Sequence, residues 1–131
     1  MKVLLIVSHG SRRKESNNEV RRLAERIAEQ AGSSFSKVSC AFLELTHPAI
    51  DAAIDALAGE GATEIVVFPF FLAAGTHVVN DIPRIIDEAR GDLPDVEISV
   101  VSHLGALPGL IHVILDHIEL STAKPDGAQP L

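Results

Sequence analysis

Hydrophobic positions along this chain fall into two alternating patterns, short continuous runs and longer stretches with helical spacing. Residues 3 to 7 (Val-Leu-Leu-Ile-Val) are unbroken and rich in β-branched side chains, as in a strand buried on both faces of a parallel sheet. From about Glu15 to Ala31, Val20, Leu23, Ala24, Ile27, Ala28 and Ala31 repeat at helical spacing, and Gly32-Ser33-Ser34 closes that helix. A second strand is predicted over Val38 to Leu43. In the following helix Ile50, Ala53, Ile54 and Leu57 form the inward stripe, Thr46 or His47 caps, and Pro48 occupies the first turn.

The most apolar run is Ile65-Val66-Val67-Phe68-Pro69-Phe70-Phe71-Leu72. Proline sits poorly in a central strand, so this strand is expected to end near Phe68 or Pro69. A loop then carries Phe71, Leu72, Ala73, Ala74, Gly75, Thr76 and His77. A third helix follows, capped by Asn80, with Pro83 harmless in its first turn and Ile82, Ile85, Ile86 and Ala89 inward. A fourth strand spans Val96 to Val101, and a fourth helix carries Leu107, Leu110, Ile111, Ile114, Leu115 and Ile118. Strictly alternating strands and helices imply an α/β fold, a single-domain open parallel four-stranded sheet flanked by helices on both faces. The domain is expected over residues 1–120. Residues 121–131 lack periodicity and read as a flexible tail.

Composition narrows the function. A chain of 131 residues with 47% hydrophobic content forms one well-cored domain. No apolar run nears the ~20 residues of a membrane span and no signal peptide stands out, so a cytoplasmic location without membrane association is expected. One cysteine, Cys40, offers no internal disulfide. The net charge of −7 argues against nucleic acid as a partner.

Candidate chemistry gathers where strands end. His9, Glu44 and His77 follow the first three strands, and His103 the fourth. Parallel strands point the same way, so these turns share the sheet edge at which open α/β sheets bind ligands. Imidazoles with a carboxylate suit a divalent first-row metal and also accept protons near neutral pH. Each has a plainer reading as well. His9 can cap the first helix, His77 can be a helix-start residue, and Glu44, between two leucines, must be solvated or paired. His47 reads as a helix-start residue, His112 and His117 as solvated helix positions, Cys40 as a buried strand residue, and His103 as either structural or a further site residue. The Arg12-Arg13-Lys14 run is by itself a solvated face.

Three segments carry a resemblance: Val-Ser-His-Gly-Ser-Arg at 7–12, Phe-Leu-Glu-Leu-Thr-His-Pro at 42–48, and Phe-Pro-Phe-Phe-Leu-Ala-Ala-Gly-Thr-His-Val at 68–78 followed by Asp81-Ile82-Pro83. In that order, over about residues 1–118, they resemble the small CbiX-type sirohydrochlorin chelatases, members of the class II tetrapyrrole chelatases. The resemblance implies a chelatase-like fold and insertion of Co²⁺, Fe²⁺ or Ni²⁺ into sirohydrochlorin, with cobalt first. It implies neither ATP nor an organic cofactor, and a product for cobalamin, sirohaem or a related tetrapyrrole. His9 and His77 match the family's active-site histidines and Glu44 its acidic metal position. Leu107 stands where many relatives carry histidine.

Long members of that family hold two such domains, so a homodimer is expected here. Sirohydrochlorin has eight carboxylates, which Ser11, Arg12 and Arg84 are placed to anchor. Its flat faces need apolar walls, for which Phe70, Phe71, Leu72, Ala73, Ala74 and Gly75 are the candidates, with Thr76 a further substrate-binding candidate in the same loop. Two other functions compete. A histidine phosphatase also places His-Gly after its first strand, but Ser8 stands where that chemistry needs arginine. A metal or tetrapyrrole carrier would keep the same ligands without turnover.

Overall fold

In the computed structural model the described residues are 1–123, with the side chains of His77 and Val78 outside the description. Four strands, β1 (Lys2–Ser8), β2 (Lys37–Phe42), β3 (Glu64–Pro69) and β4 (Glu97–Val100), form one sheet in the order β2-β1-β3-β4. Every pairing is parallel. The helices are α1 (Lys14–Ala31), α2 (Ile50–Gly59), α3 (Ile82–Asp92) and α4 (Gly109–Thr122). The α/β reading therefore holds, with β1 and β3 central.

Strand alternation divides the sheet into two unequal faces. Val3, Leu5, Val7, Ile65, Val67 and Ile98 point to one side and are fully or almost fully buried. They form the core with Ile50, Ala53, Ile54 and Leu57 of α2 and Ile82, Ile86 and Ala89 of α3. Burial of this many aliphatic side chains, each contributing about 1.5–3 kcal/mol, is what holds the sheet and these two helices together. On the opposite face α1 packs along β2. There Ile6 and Phe42 are buried, and the Arg21 guanidinium lies 5.1 Å from the Phe42 ring centroid, a cation–π contact.

Beyond shifts of one or two residues, which leave Leu107 just ahead of α4, three boundaries differ from the sequence reading. Helix α2 begins at Ile50 with an extended Ala49 before it, so neither Thr46 nor His47 caps it and Pro48 lies outside its first turn. The segment before it instead folds back on β2, where the Phe42 N–H donates to the Pro48 carbonyl at 2.9 Å. Asn80 is not a cap, because a wide π-helical turn over His77–Asp81 runs directly into α3. Helix α4 continues to Thr122, past the expected start of the tail. The rest of that tail, residues 124–131, lies outside the described residues. No helix among the described residues is long and apolar enough to cross a membrane.

Cys40 is half-buried in β2. Desolvation pushes its thiol up from the ordinary range; Arg21 opposes that shift and Glu25 adds to it. A thiol held protonated reacts slowly, since the thiolate is the nucleophile. Ellman's reagent at pH 8 should modify the folded chain about tenfold or more slower than the chain unfolded in guanidinium; equal rates would contradict this burial.

Candidate metal and ligand site

Strand order places the site. The chain steps from β1 outward to β2, then crosses back to lay β3 on the other side of β1. Neighbouring turns thus diverge beyond the carboxyl ends of β1 and β3, the switch point where open α/β sheets hold ligands. His9 follows β1 directly, and the loop after β3 leads to His77.

The parallel ladder does not stop with the strands. Ser8 pairs with Phe42 as the last rung of β1 and β2. Beyond it the Leu43 N–H donates to the Ser8 carbonyl at 2.9 Å, and the Glu44 N–H to the His9 carbonyl at 3.1 Å. These bonds set the two turns side by side. The His9 Nε2–H then donates to Glu44 Oε1 at 2.9 Å. The side chains are 43% and 53% exposed, so this solvent-screened contact contributes at most about 1 kcal/mol to stability. Its geometry is set by backbone bonds.

Glycine is required at position 10. Gly10 has φ +95°, and a Cβ there would overlap the Glu44 carbonyl oxygen. Next to Glu44, Leu45 also adopts a left-handed conformation, φ 70°. Such strain in a non-glycine residue persists only where the surroundings impose it, and it concentrates at functional sites.

Asn17, in the first turns of α1, is the one buried polar residue among those described. Its Oδ1 accepts the Ser11 N–H at 2.9 Å, and its Nδ2 donates to the Ser11 carbonyl at 2.8 Å. One amide thus satisfies both backbone groups of the residue two places after His9. Ser11 Oγ in turn accepts the Arg13 N–H at 3.1 Å. Sequence reading passed over Asn17, although a short amide side chain near a helix start is the available signal. On the other flank, Arg21 donates to the His47 carbonyl and to Thr46 Oγ1, tying the Glu44 loop to α1.

The loop after β3 is tied in the same way. The Phe70 N–H donates to the Val7 carbonyl at 2.8 Å, and the Gly105 N–H to the Phe71 carbonyl at 3.0 Å. Phe71 leans against the core while Leu72 is 72% exposed. Ala73, Ala74, Gly75 and Thr76 are exposed beside it, and the Val79 N–H donates to the Gly75 carbonyl at 3.0 Å. The His77 backbone opens the π-helical turn, a feature frequent at functional sites; its side chain lies outside the described residues.

Other candidates lie apart from the pair. Arg12 is exposed on the His9 turn. Arg84 faces Asp81 and Glu88 on α3, at 3.7 and 4.0 Å. His103 precedes the short 3-10 turn after β4, and His112 and His117 are exposed on α4. Among the described residues no three His, Cys, Asp or Glu side chains converge. Two do, His9 and Glu44.

A parallel sheet with an imidazole–carboxylate pair at its switch point defines the class: an α/β protein that brings two side chains of metal-ligand type to one sheet edge. The chain belongs to the CbiX family, whose model matches residues 3–120. It is similar to the chloroplastic sirohydrochlorin ferrochelatase of Arabidopsis thaliana, 32% identical over 95% of this chain and 54% of that protein. It is also similar to a sirohydrochlorin cobaltochelatase of Methanopyrus kandleri, 31% identical over 91% of this chain and 96% of that one. Among solved structures, the sirohydrochlorin chelatase SirB of Bacillus subtilis in complex with cobalt superposes with TM-score 0.77 at 30% identity. That match covers 90% of this chain and 50% of SirB. This chain thus spans about half the length of the Arabidopsis and Bacillus proteins.

Asn17→Ala would strip two partly buried backbone groups of their partner, at a cost of about 1–3 kcal/mol. Chemical denaturation should register that loss, and Asn17→Asp, which keeps an acceptor for the Ser11 N–H, should lose less than Asn17→Ala. Equal stability of Asn17→Ala and the parent chain would remove the clamp.

Proposed function

We propose that this chain is a sirohydrochlorin chelatase, inserting Co²⁺ into the macrocycle without ATP, with Fe²⁺ as a competing substrate. The observation that carries the reading is the His9–Glu44 contact at the switch point in a CbiX-family chain. Relatives named cobaltochelatase and ferrochelatase support the choice of metals, as does the cobalt complex of SirB.

The reaction exchanges one M²⁺ for two pyrrole N–H protons. A nitrogen and an oxygen donor 2.9 Å apart can both reach one ion at metal–donor distances of about 2.1 Å, at nearly a right angle. Entry of the metal between them replaces the proton they share. An imidazole and a carboxylate without thiolate hold such an ion moderately and release it, as delivery requires. His9 and Glu44 retain the metal, and His77, carried on the β3 loop, takes the two ring protons one at a time and passes each to solvent. One imidazole cannot use a single lone pair for both duties at once, which is why the labour is divided.

Ser11 and Arg12 on the His9 turn anchor carboxylates at the rim of the macrocycle. The Phe71–Thr76 loop, with exposed Leu72 and small Ala74 and Gly75, supplies an apolar wall for its flat face. One copy provides one wall, and a homodimer supplies the second. The chain works in the cytoplasm in this reading, where a lone reduced cysteine is at home.

An anaerobic absorbance time course with sirohydrochlorin and Co²⁺ tests this. The parent chain should accelerate the spectral change of metallation, and His9→Ala should lose about 10²-fold or more of that rate. Glu44→Gln should raise the cobalt concentration for half-maximal rate about tenfold or more. Binding of sirohydrochlorin or cobalt with no rate above the uncatalysed one would make the protein a carrier.

A further inference from the structure

Glu44 stands between two leucines with opposite fates. Leu43 packs against the core, whereas Leu45 is 54% exposed. Leu45 also holds φ at 70°, a region in which the Cβ of an L residue crowds the carbonyl oxygen that follows. The position is disfavoured twice, once by apolar surface left in water and once by backbone strain. An exposed side chain returns little packing for either.

The strain is imposed from both sides. Before Leu45, the Glu44 N–H is bonded to the His9 carbonyl at 3.1 Å. After it, Arg21 Nη2 donates to Thr46 Oγ1 at 3.2 Å and to the His47 carbonyl at 2.9 Å. The guanidinium is itself fixed, since Nη1 donates to Asn18 Oδ1 at 2.9 Å and its face rests over the Phe42 ring. The base of the loop closes where the Phe42 N–H meets the Pro48 carbonyl. Polar groups thus hold an apolar residue in the open, one position beyond a candidate metal donor.

Sheet order decides what surrounds it. Strand β1 lies between β2 and β3, so the His9 turn is flanked by the Glu44–Leu45 turn on one side. On the other side runs the loop after β3, where Leu72 is 72% exposed. The His9–Glu44 pair therefore has an exposed leucine on each flank. A ring of four pyrroles is wider than the spacing of neighbouring strands, about 4.8 Å. Poised over the pair, such a ring overhangs both turns, and the apolar part of its face comes to rest on leucine.

We propose that Leu45 is a specificity-determining contact for the apolar face of the macrocycle, held ready in a strained turn by Arg21 and by the ladder onto His9. This role deepens the chelatase reading above and rests on it. Leu45 extends to the β2 side of the pair the wall that the Phe71–Thr76 loop forms on the β3 side. A free metal ion gains nothing from leucine, so the contact bears on the macrocycle alone.

Leu45→Asn separates the cost of the residue from its use. Asparagine adopts positive φ more readily than leucine but offers no apolar surface. Chemical denaturation should find Leu45→Asn at least as stable as the parent chain. A lower midpoint would show that the fold itself needs the leucine, and would overturn the proposal. In steady-state metallation Leu45→Asn should raise the KM for sirohydrochlorin about tenfold or more. The cobalt concentration for half-maximal rate should stay within about twofold. Leu45→Met, which keeps an apolar side chain, should hold the sirohydrochlorin KM within about threefold. An unchanged KM in Leu45→Asn overturns the proposal, and so does a matching rise in the cobalt requirement, which would make Leu45 a support for Glu44. Titration of sirohydrochlorin without metal, followed by absorbance, separates this role from the reading beneath it. A parent chain that binds the macrocycle without metallating it sinks catalysis alone, and the same tenfold loss of binding in Leu45→Asn then decides the contact. A parent chain that binds no macrocycle overturns both.

Discussion

Everything at the site depends on two backbone hydrogen bonds that prolong a parallel ladder past its strands. The Leu43 and Glu44 N–H groups continue onto the Ser8 and His9 carbonyls, so two turns from distant parts of the chain travel together for two more residues. Adjacent strands lie about 4.8 Å apart, and that spacing is handed on to the residues beyond. An imidazole and a carboxylate placed on neighbouring rungs meet with no need for strong attraction. The close approach leaves no room for a side chain at Gly10, which makes that glycine part of the frame.

Around this frame the loops are held by polar groups. Asn17 occupies both backbone groups of Ser11, Arg21 takes the His47 carbonyl, and Gly105 ties the start of the β3 loop to the turn after β4. Each tie satisfies a backbone group that would otherwise need water. The pair therefore sits on secured backbone while its own side chains remain half-exposed.

Much of the architecture was legible because buried parallel strands are written as continuous β-branched runs and helices as 3.6-residue repeats. Four strands and four helices followed from that, and so did the convergence of His9 and Glu44 on one sheet edge. The starts of α2 and α3 were not legible. Thr46-His47-Pro48 has the local chemistry of a helix start, but Phe42 needs an acceptor and takes the Pro48 carbonyl, a tertiary demand that local propensity does not contain. Asn80 fails as a cap because the helical backbone already begins upstream, in a π turn that periodicity does not announce. Asn17 was missed because its partner is the backbone of a turn, which no side-chain motif records. The apolar stripe of α4 was visible, but its lack of a cover among the described residues was not, since hydrophobic spacing states that a face wants burial and is silent on what buries it.

The prolonged ladder also has a consequence for how such a site can change over time. Frame and lining are encoded in different places: the separation of the two donors is a property of the sheet, whereas the Phe71–Thr76 segment and the outer part of the Glu44 loop are merely attached to it. Insertions or substitutions in those attached parts alter the surroundings of the pair while its spacing stays fixed. In the chelatase reading proposed above, selectivity for the guest is then free to drift under selection, one loop at a time, without the chemistry of the host having to be invented again.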